Sequence, residues 1–181
     1  MIHPFEKVKK GISFMNSRIL RTLEGAGLGL ILIFCLSPNS TYAATSQKVS
    51  VTHSKIPTVS GAWGKVPVIS KPSGVAPSKL VIKDLITGTG QGAVSSSVVT
   101  AQYVLISWKT GAVLDSSWKR GPATFGLSQV IPGWQQGLPG MKVGGRRLLI
   151  IPPALGYGPA GTGPIGPNET LVFVVDLVGV K

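Results

Sequence analysis

One cysteine, two histidines and six acidic residues are all that this chain of 181 residues offers to most side-chain chemistry. Cys35 lies in the apolar run Ala26–Leu36, His3 lies near the amino terminus, and His53 lies in a stretch rich in Ser, Thr and Pro. No Ser-His-Asp or Cys-His arrangement can be assembled from the residues after position 75. Zinc is excluded there on ligand count, because its sites draw on cysteine, histidine and carboxylate together. The acids after residue 43 are Asp84, Asp115, Glu169 and Asp176. Asp84 and Asp176 read as solvent-face residues of strands, which argues against a carboxylate pair for glycoside hydrolysis. Gly88-Thr-Gly-Gln-Gly92 lacks the third glycine of a dinucleotide loop, and no helix pattern follows it, so it reads as a turn. Neither a cofactor nor a metal is expected.

Positive charge is what the chain has in excess, with a formal net of +12. Beyond residue 43 there are 13 basic and four acidic groups. The basic residues are scattered, and the aromatics that single-strand nucleic-acid grooves interleave with them are few. No nucleic-acid partner is expected. The excess reads as solubilising charge, with attraction to an anionic surface or polymer as the other reading.

The amino terminus has the parts of a secretory signal. Basic residues up to Arg21 precede the apolar run, polar Ser37-Pro-Asn-Ser-Thr-Tyr42 follows, and Ala43-Ala44 supplies small residues. Cleavage before Ala44 would put Thr41 and Ala43 at the −3 and −1 positions, making residues 1–43 a signal peptide. The run of 11 apolar positions is shorter than the roughly 20 that span a bilayer. A retained anchor is the competing reading, and Met15 is an alternative start. The mature chain is then extracytoplasmic, secreted or associated with the cell envelope, and free of cysteine. Membrane contact would be through the targeting segment alone, as an anchor if the signal stays uncleaved.

Residues 44–74 form an extended Ser/Thr/Pro-rich tether, flexible to about Gly61. Pro57, Pro67 and Pro72 block helix there, and residues 62–69 are a candidate edge strand, since Trp63 is costly to leave in water. From Lys79 onward the pattern is β-rich. Leu80–Ile86 is a strand candidate, and Val99, Ala101, Tyr103 and Leu105 share one face of the next by period-two spacing. Pro132 can open a short helix, with Trp134 and Leu138 one turn apart on one side. Arg146–Ile151 and Leu171–Val178 are strands, the first placing Arg146 and Arg147 on opposite faces. The reading is an α+β fold in which an antiparallel sheet curls over one short helix.

What remains after the exclusions is apolar and aromatic: Tyr103, Phe125, Val130, Ile131, Trp134, Tyr157, Ile165 and Phe173, with Asp115. Singly, such aromatics read as core. Tyr157 is the exception, because it stands at the mouth of a Gly/Pro-rich loop, where its hydroxyl can be presented. Val130-Ile-Pro-Gly-Trp134, Gly137-Leu-Pro-Gly-Met-Lys-Val-Gly144, Leu155-Gly-Tyr-Gly158 and Thr170-Leu-Val-Phe173 follow one another in an order that resembles the FKBP-type peptidyl-prolyl cis–trans isomerases. Tyr103 and Leu114-Asp-Ser-Ser117 extend the resemblance upstream, so that it covers roughly residues 75–181.

The resemblance implies an FKBP-like fold, a five- to six-stranded antiparallel sheet wrapped around one short helix, over an isomerase domain at 75–181. It also implies a peptidyl-prolyl isomerase (EC 5.2.1.8) that assists the folding of exported proteins. Trp134 would be the pocket floor, and Tyr103, Phe125 and Phe173 its walls. Val130 and Ile131 would form the rim, Ile131 offering its backbone N–H. Tyr157 would donate its hydroxyl to a substrate carbonyl, Asp115 would sit at the edge, held by Arg120, and Ile165 would close the pocket. Asp115, Tyr157 and Ile131 would carry catalysis. Partners would be proline-containing polypeptides, with a macrolide immunosuppressant as inhibitor.

The physics agrees: an X–Pro bond turns over a barrier of ~18–20 kcal/mol because the amide loses resonance, and no bond to hydrogen need change. Leu114 departs from the family by standing where many relatives have phenylalanine. Ala123 replaces another aromatic, Gln129 a common acid, and the loop after Tyr157 lacks a histidine. These differences leave open a non-catalytic chaperone or peptide-binding module of the same fold.

Overall fold

The computed structural model describes residues 53–181. The central feature is an antiparallel sheet of six strands. Two further strands, β1 (Val59–Ser60) and β2 (Val68–Ile69), pair only with each other. The sheet contains β3 (Val81–Ile86), β4 (Val98–Ser107), β5 (Val113–Ser116), β6 (Ala123–Gly126), β7 (Arg146–Ile151) and β8 (Leu171–Val180). Their order is β3-β7-β8-β4-β5, and β6 pairs with the amino-terminal part of β4. The short helix α1 spans Pro132–Gly137, with proline at its first turn. Among the described residues no helix is long and apolar enough to cross a membrane.

Alternation along the strands divides the sheet's side chains into two cores. Val99, Ala101, Tyr103, Leu105, Leu149, Ile151, Leu171, Phe173, Val175 and Leu177 face Trp134 and Leu138 of the helical segment. Val104, Ile106, Leu148, Ile150, Val172 and Val174 face the other way and form a second cluster with Trp108. Each fully buried aliphatic side chain contributes roughly 1.5–3 kcal/mol of apolar transfer, so both faces stabilise the domain.

Helix α1 lies close on β7 because two glycines one turn apart meet it. A Cβ at Gly133 would run into the Ile151 side chain, and one at Gly137 would press on Leu149. This bare stripe lets the backbone approach, while Trp134 projects to the side. Arg147 fixes the far end of the helix. Its Nη1 donates to the carbonyl of Gly137 at 2.8 Å, while Asp84 accepts from its Nε at 2.6 Å and its Nη2 at 3.0 Å. A cation on the last carbonyls is the favourable sign for a helix carboxyl end.

The second core is covered by the segment expected to be a tether. Residues 54–75 fold back as a ribbon, joined at Lys55–Ser73, Thr58–Ser70 and β1–β2. Val59, Ile69 and Ala76 pack on the sheet, and Pro57, Pro67 and Pro72 are buried. Proline rules out helix but not a packed extended chain, which has few ladder hydrogen bonds to lose. The edge strand expected at 62–69 is instead the turn of this ribbon, followed by β2. Trp63 stays half-exposed, with Nε1 donating to the carbonyl of Gly145 at 3.1 Å.

Asp176 also differs from expectation. It is buried, not on a solvent face, and pairs with buried Arg146, at 2.5 Å from Nε to Oδ1 and 2.8 Å from Nη2 to Oδ2. The pair reaches up into the ribbon's turn. Arg146 donates to the carbonyls of Gly61 and Lys65, each at 2.7 Å, and Asp176 accepts from the N–H of Gly64 at 2.9 Å. All three carbonyl and amide partners belong to the turn, so covering this face is what buries the pair. Asp84 keeps a half-exposed side chain.

Candidate active site

Between the sheet and the helical segment lies a cavity of about 600 Å³. Its floor is Trp134, buried on the side of α1. Three rings meet the indole near edge-on: Phe125 at 5.3 Å and 79°, Phe173 at 5.3 Å and 77°, and Tyr103 at 5.7 Å and 87° between centroids and planes. Edge-to-face packing at these spacings is favourable because each ring's positive rim meets the other's negative face. Tyr103 and Phe173 are brought together by the β4–β8 register, in which Leu105 pairs with Phe173 and Tyr103 with Val175. Phe125 arrives on β6, opposite Val99. The indole Nε1 of Trp134 has no hydrogen-bond partner among the described residues.

The rim comes from the chain entering the helix. Val130 and Ile131 line the cavity, and Gln135 Nε2 fixes the carbonyl of Val130 at 2.8 Å. Ile131 is the residue that caps the helix. Its N–H therefore precedes the first intrahelical bond and belongs to the donors that a helix start leaves free. On the opposite side Tyr157 is 38% exposed, enough to show its hydroxyl to a ligand. The loop that follows folds on itself: Thr162 and Ile165 exchange backbone hydrogen bonds of 2.9 and 2.8 Å, and Asn168 N–H closes its neck on the carbonyl of Gly158 at 3.0 Å. A Cβ at Gly161, which has φ +66°, would collide with the Ile165 carbonyl, so only glycine allows this closure. Ile165 is thereby pressed against the cavity and buried.

Asp115 marks the polar edge. It accepts from Tyr103 Oη at 2.5 Å, from Arg120 Nη2 at 2.9 Å and from the N–H of Ser116 at 2.8 Å. Burial alone would raise its pKa, but these donors outweigh burial and hold the carboxyl below the usual carboxylate range. Burial first, and then the Asp115 carboxylate, push the Tyr103 hydroxyl up to about 12. Tyr103 is therefore a neutral donor held by a charged acceptor, with its hydroxyl committed to the carboxylate.

The structure brings all ten residues singled out from the sequence around this one cavity: Tyr103, Leu114, Asp115, Phe125, Val130, Ile131, Trp134, Tyr157, Ile165 and Phe173. Leu105, Gln129, Thr162, Gly163 and Pro164 also line it. Leu105 was legible from its period-two relation to Tyr103. The three loop residues were not, because their inward turn depends on the Thr162–Ile165 contact. Among the described residues no lysine, histidine or cysteine lines the cavity, and the titratable groups that do are Tyr103, Asp115 and Tyr157. It is a place to hold an apolar ring between aromatics and to fix flanking backbone by hydrogen bonds.

Known proteins point the same way. Residues 90–178 match the family model of the FKBP-type peptidyl-prolyl cis–trans isomerase. A probable FK506-binding protein of Corynebacterium glutamicum is 50% identical over 113 residues, which cover 62% of this chain and 96% of that protein. The peptidyl-prolyl cis–trans isomerase Mip of Coxiella burnetii is 48% identical over 106 residues, 56% of this chain and 45% of Mip. The crystal structure of FkpA from Escherichia coli superposes with a TM-score of 0.54 at 43% identity, covering 56% of this chain and 48% of that one. This chain therefore spans less than half the length of Mip and FkpA.

Proposed function

Since the chain belongs to the FKBP-type peptidyl-prolyl cis–trans isomerases (EC 5.2.1.8), we propose that it rotates X–Pro bonds by desolvation and hydrogen bonding in the Trp134 pocket, without proton transfer. The observation that carries this mechanism is the composition of the cavity wall. Five aromatic rings and several aliphatic side chains surround the cavity, and its one carboxylate among the described residues is already bound to Tyr103 and Arg120. A planar amide is polar through its resonance, and a dry pocket disfavours that polarity relative to the twisted form. Trp134 would lie beneath the proline ring. Ile131 N–H and Tyr157 Oη would hold the carbonyls on either side, so that the chain enters already turned. Asp115, fixed by three donors, would orient Tyr103 at the edge.

The role of Tyr157 is testable on its own. Tyr157→Phe should lower kcat/KM for a short X–Pro peptide by about 2–13-fold, the worth of one neutral hydrogen bond of ~0.5–1.5 kcal/mol, with no change in melting temperature. An unchanged kcat/KM would remove Tyr157 from the mechanism. Peptide binding without any turnover in the wild-type protein would favour the binding-only module of the same fold. FK506-type macrolides, named for the Corynebacterium relative, would compete for the same pocket.

The setting we propose is extracytoplasmic, with residues 1–43 as a signal peptide and the isomerase acting on exported polypeptides. The support is the basic, then apolar, then small-residue order of the amino terminus. The likeness to a protein named as an outer membrane protein, MIP of Legionella longbeachae, agrees with it. Uncatalysed X–Pro isomerisation takes ~10–100 s, slow enough to limit the folding of an exported chain.

A further inference from the structure

The ribbon on the far side of the sheet has a surface that catalysis does not use. From Glu24 to Asp84 the sequence contains no acidic residue, while Lys48, Lys55, Lys65, Lys71, Lys79 and Lys83 fall within that span. The acids further along offset little of this charge. Asp84, Asp115 and Asp176 are paired with the three arginines of the described residues, and Glu169 accepts from Ser107 Oγ at 2.7 Å. None of the nine lysines among the described residues takes part in an ion pair. The unpaired side-chain charge among the described residues is therefore nine ammonium groups against the single carboxylate of Glu169.

The same ribbon exposes apolar side chains. Ile56, Trp63, Val66, Val68 and Val75 are five of the eleven large apolar residues left exposed among the described residues. Val68 faces outward with its cross-strand partner Ser60, because the neighbouring pair Val59 and Ile69 faces the sheet. Lys55, Lys65 and Lys71 interleave with these residues, and all three are exposed.

We infer that this face of the ribbon docks on the surface of a bilayer rich in anionic lipid. Lysines meet the headgroup charge while tryptophan and valine side chains enter the interface, a pairing suited to membrane–water boundaries. A soluble polyanion would be attracted by the lysines but would give no return on exposing the valines. A second copy of the ribbon would bring like charge to like. The Trp134 pocket opens on the opposite face of the sheet, so docking would hold the isomerase with its pocket turned away from the lipid.

The test uses the mature chain, residues 44–181, so that the apolar run 26–36 takes no part, and two features report on the ribbon. The first is a comparison with Lys55→Ser/Lys65→Ser/Lys71→Ser. The second is the emission of Trp63, the only exposed tryptophan among the four. Wild type should bind phosphatidylglycerol-containing vesicles with a blue shift in emission that Trp63→Phe removes. The triple lysine variant should bind them about 100-fold more weakly, at roughly fivefold per lysine, and isomerase activity should be unchanged. Val66→Ser/Val68→Ser should weaken binding on the same vesicles. Equal binding to neutral phosphatidylcholine vesicles would overturn the inference. So would a lysine variant that binds as wild type does, or soluble polyphosphate producing the same Trp63 shift.

Discussion

Trp134→Ala should lose about two orders of magnitude or more in kcat/KM, the largest effect expected of any single change in the cavity. Three aromatic rings stand near edge-on to this indole, and each such contact is worth ~0.5–1.5 kcal/mol beyond area burial. Without it Tyr103, Phe125 and Phe173 surround a hole that water can enter, and misplacing a bound substrate by about 1 Å can itself cost ~100-fold. The substitution should also lower stability by ~3–5 kcal/mol, a large share of the ~5–15 kcal/mol typical of a domain. Trp134→Phe separates the two effects. It leaves no internal hydrogen bond broken, since Nε1 has no partner among the described residues, and it keeps a ring on the floor. It should stay folded and retain activity between wild type and alanine. Turnover is measured with a short X–Pro peptide, and folding by urea titration of each variant. Full activity in folded Trp134→Ala would remove the indole from the mechanism.

Asp176→Ala should be the most destabilising change outside the cavity. It leaves the Arg146 guanidinium buried with no carboxylate and takes the acceptor from Gly64 N–H, so ~3–5 kcal/mol is expected from breaking a buried pair. The ribbon turn at 61–65 hangs on the same pair, so proteolytic cleavage there should accompany the loss. Arg146→Met/Asp176→Leu should recover much of the stability, because removing both charges leaves neither uncompensated. Denaturant midpoints of the three proteins decide it. A single variant within about 1 kcal/mol of wild type would mean that the pair is not what holds the turn. The folded fraction should isomerise normally, since the pair lies on the sheet face away from Trp134.

The cavity was readable because the order of its motifs resembles that of the FKBP-type isomerases, and local pattern added some of its parts, although its aromatics taken singly read as core. Pro132 starts the helix, Gly133 and Gly137 let it touch β7, and Trp134 is then directed sideways whatever the rest of the chain does. Tyr103 and Phe173 sit on alternating strands, so their faces follow from spacing. The ribbon was not readable, because covering the second face is a long-range event between residues 53–76 and strands whose register the local sequence does not state. A signal was nevertheless present. Leu148–Ile151 and Leu171–Val175 are unbroken apolar runs, and a strand apolar on both sides needs cover on both sides. Val172 and Val174 already placed their shared face in a core. Asp176, next on that face, should have been read as buried with them. Burial then required a charged partner, and Arg146 is its register neighbour across β7–β8.

Proton transfer separates this mechanism from ordinary acid–base catalysis, and the rate of X–Pro isomerisation as a function of pH tests that difference directly. Asp115 has a depressed pKa, so its contribution to stability is present above the unfolded value and lost as pH falls through the lower folded one. Tyr103 has a raised pKa, so its contribution is complete below 10 and lost as pH rises from there to about 12. Neither group changes charge near neutrality. With a short X–Pro peptide saturating residues 44–181, kcat should be flat from about pH 5 to 9, the interval between ordinary carboxylate and tyrosine titration. A bell-shaped profile with a limb near neutral pH would show an acid or base at work and contradict rotation by desolvation over Trp134.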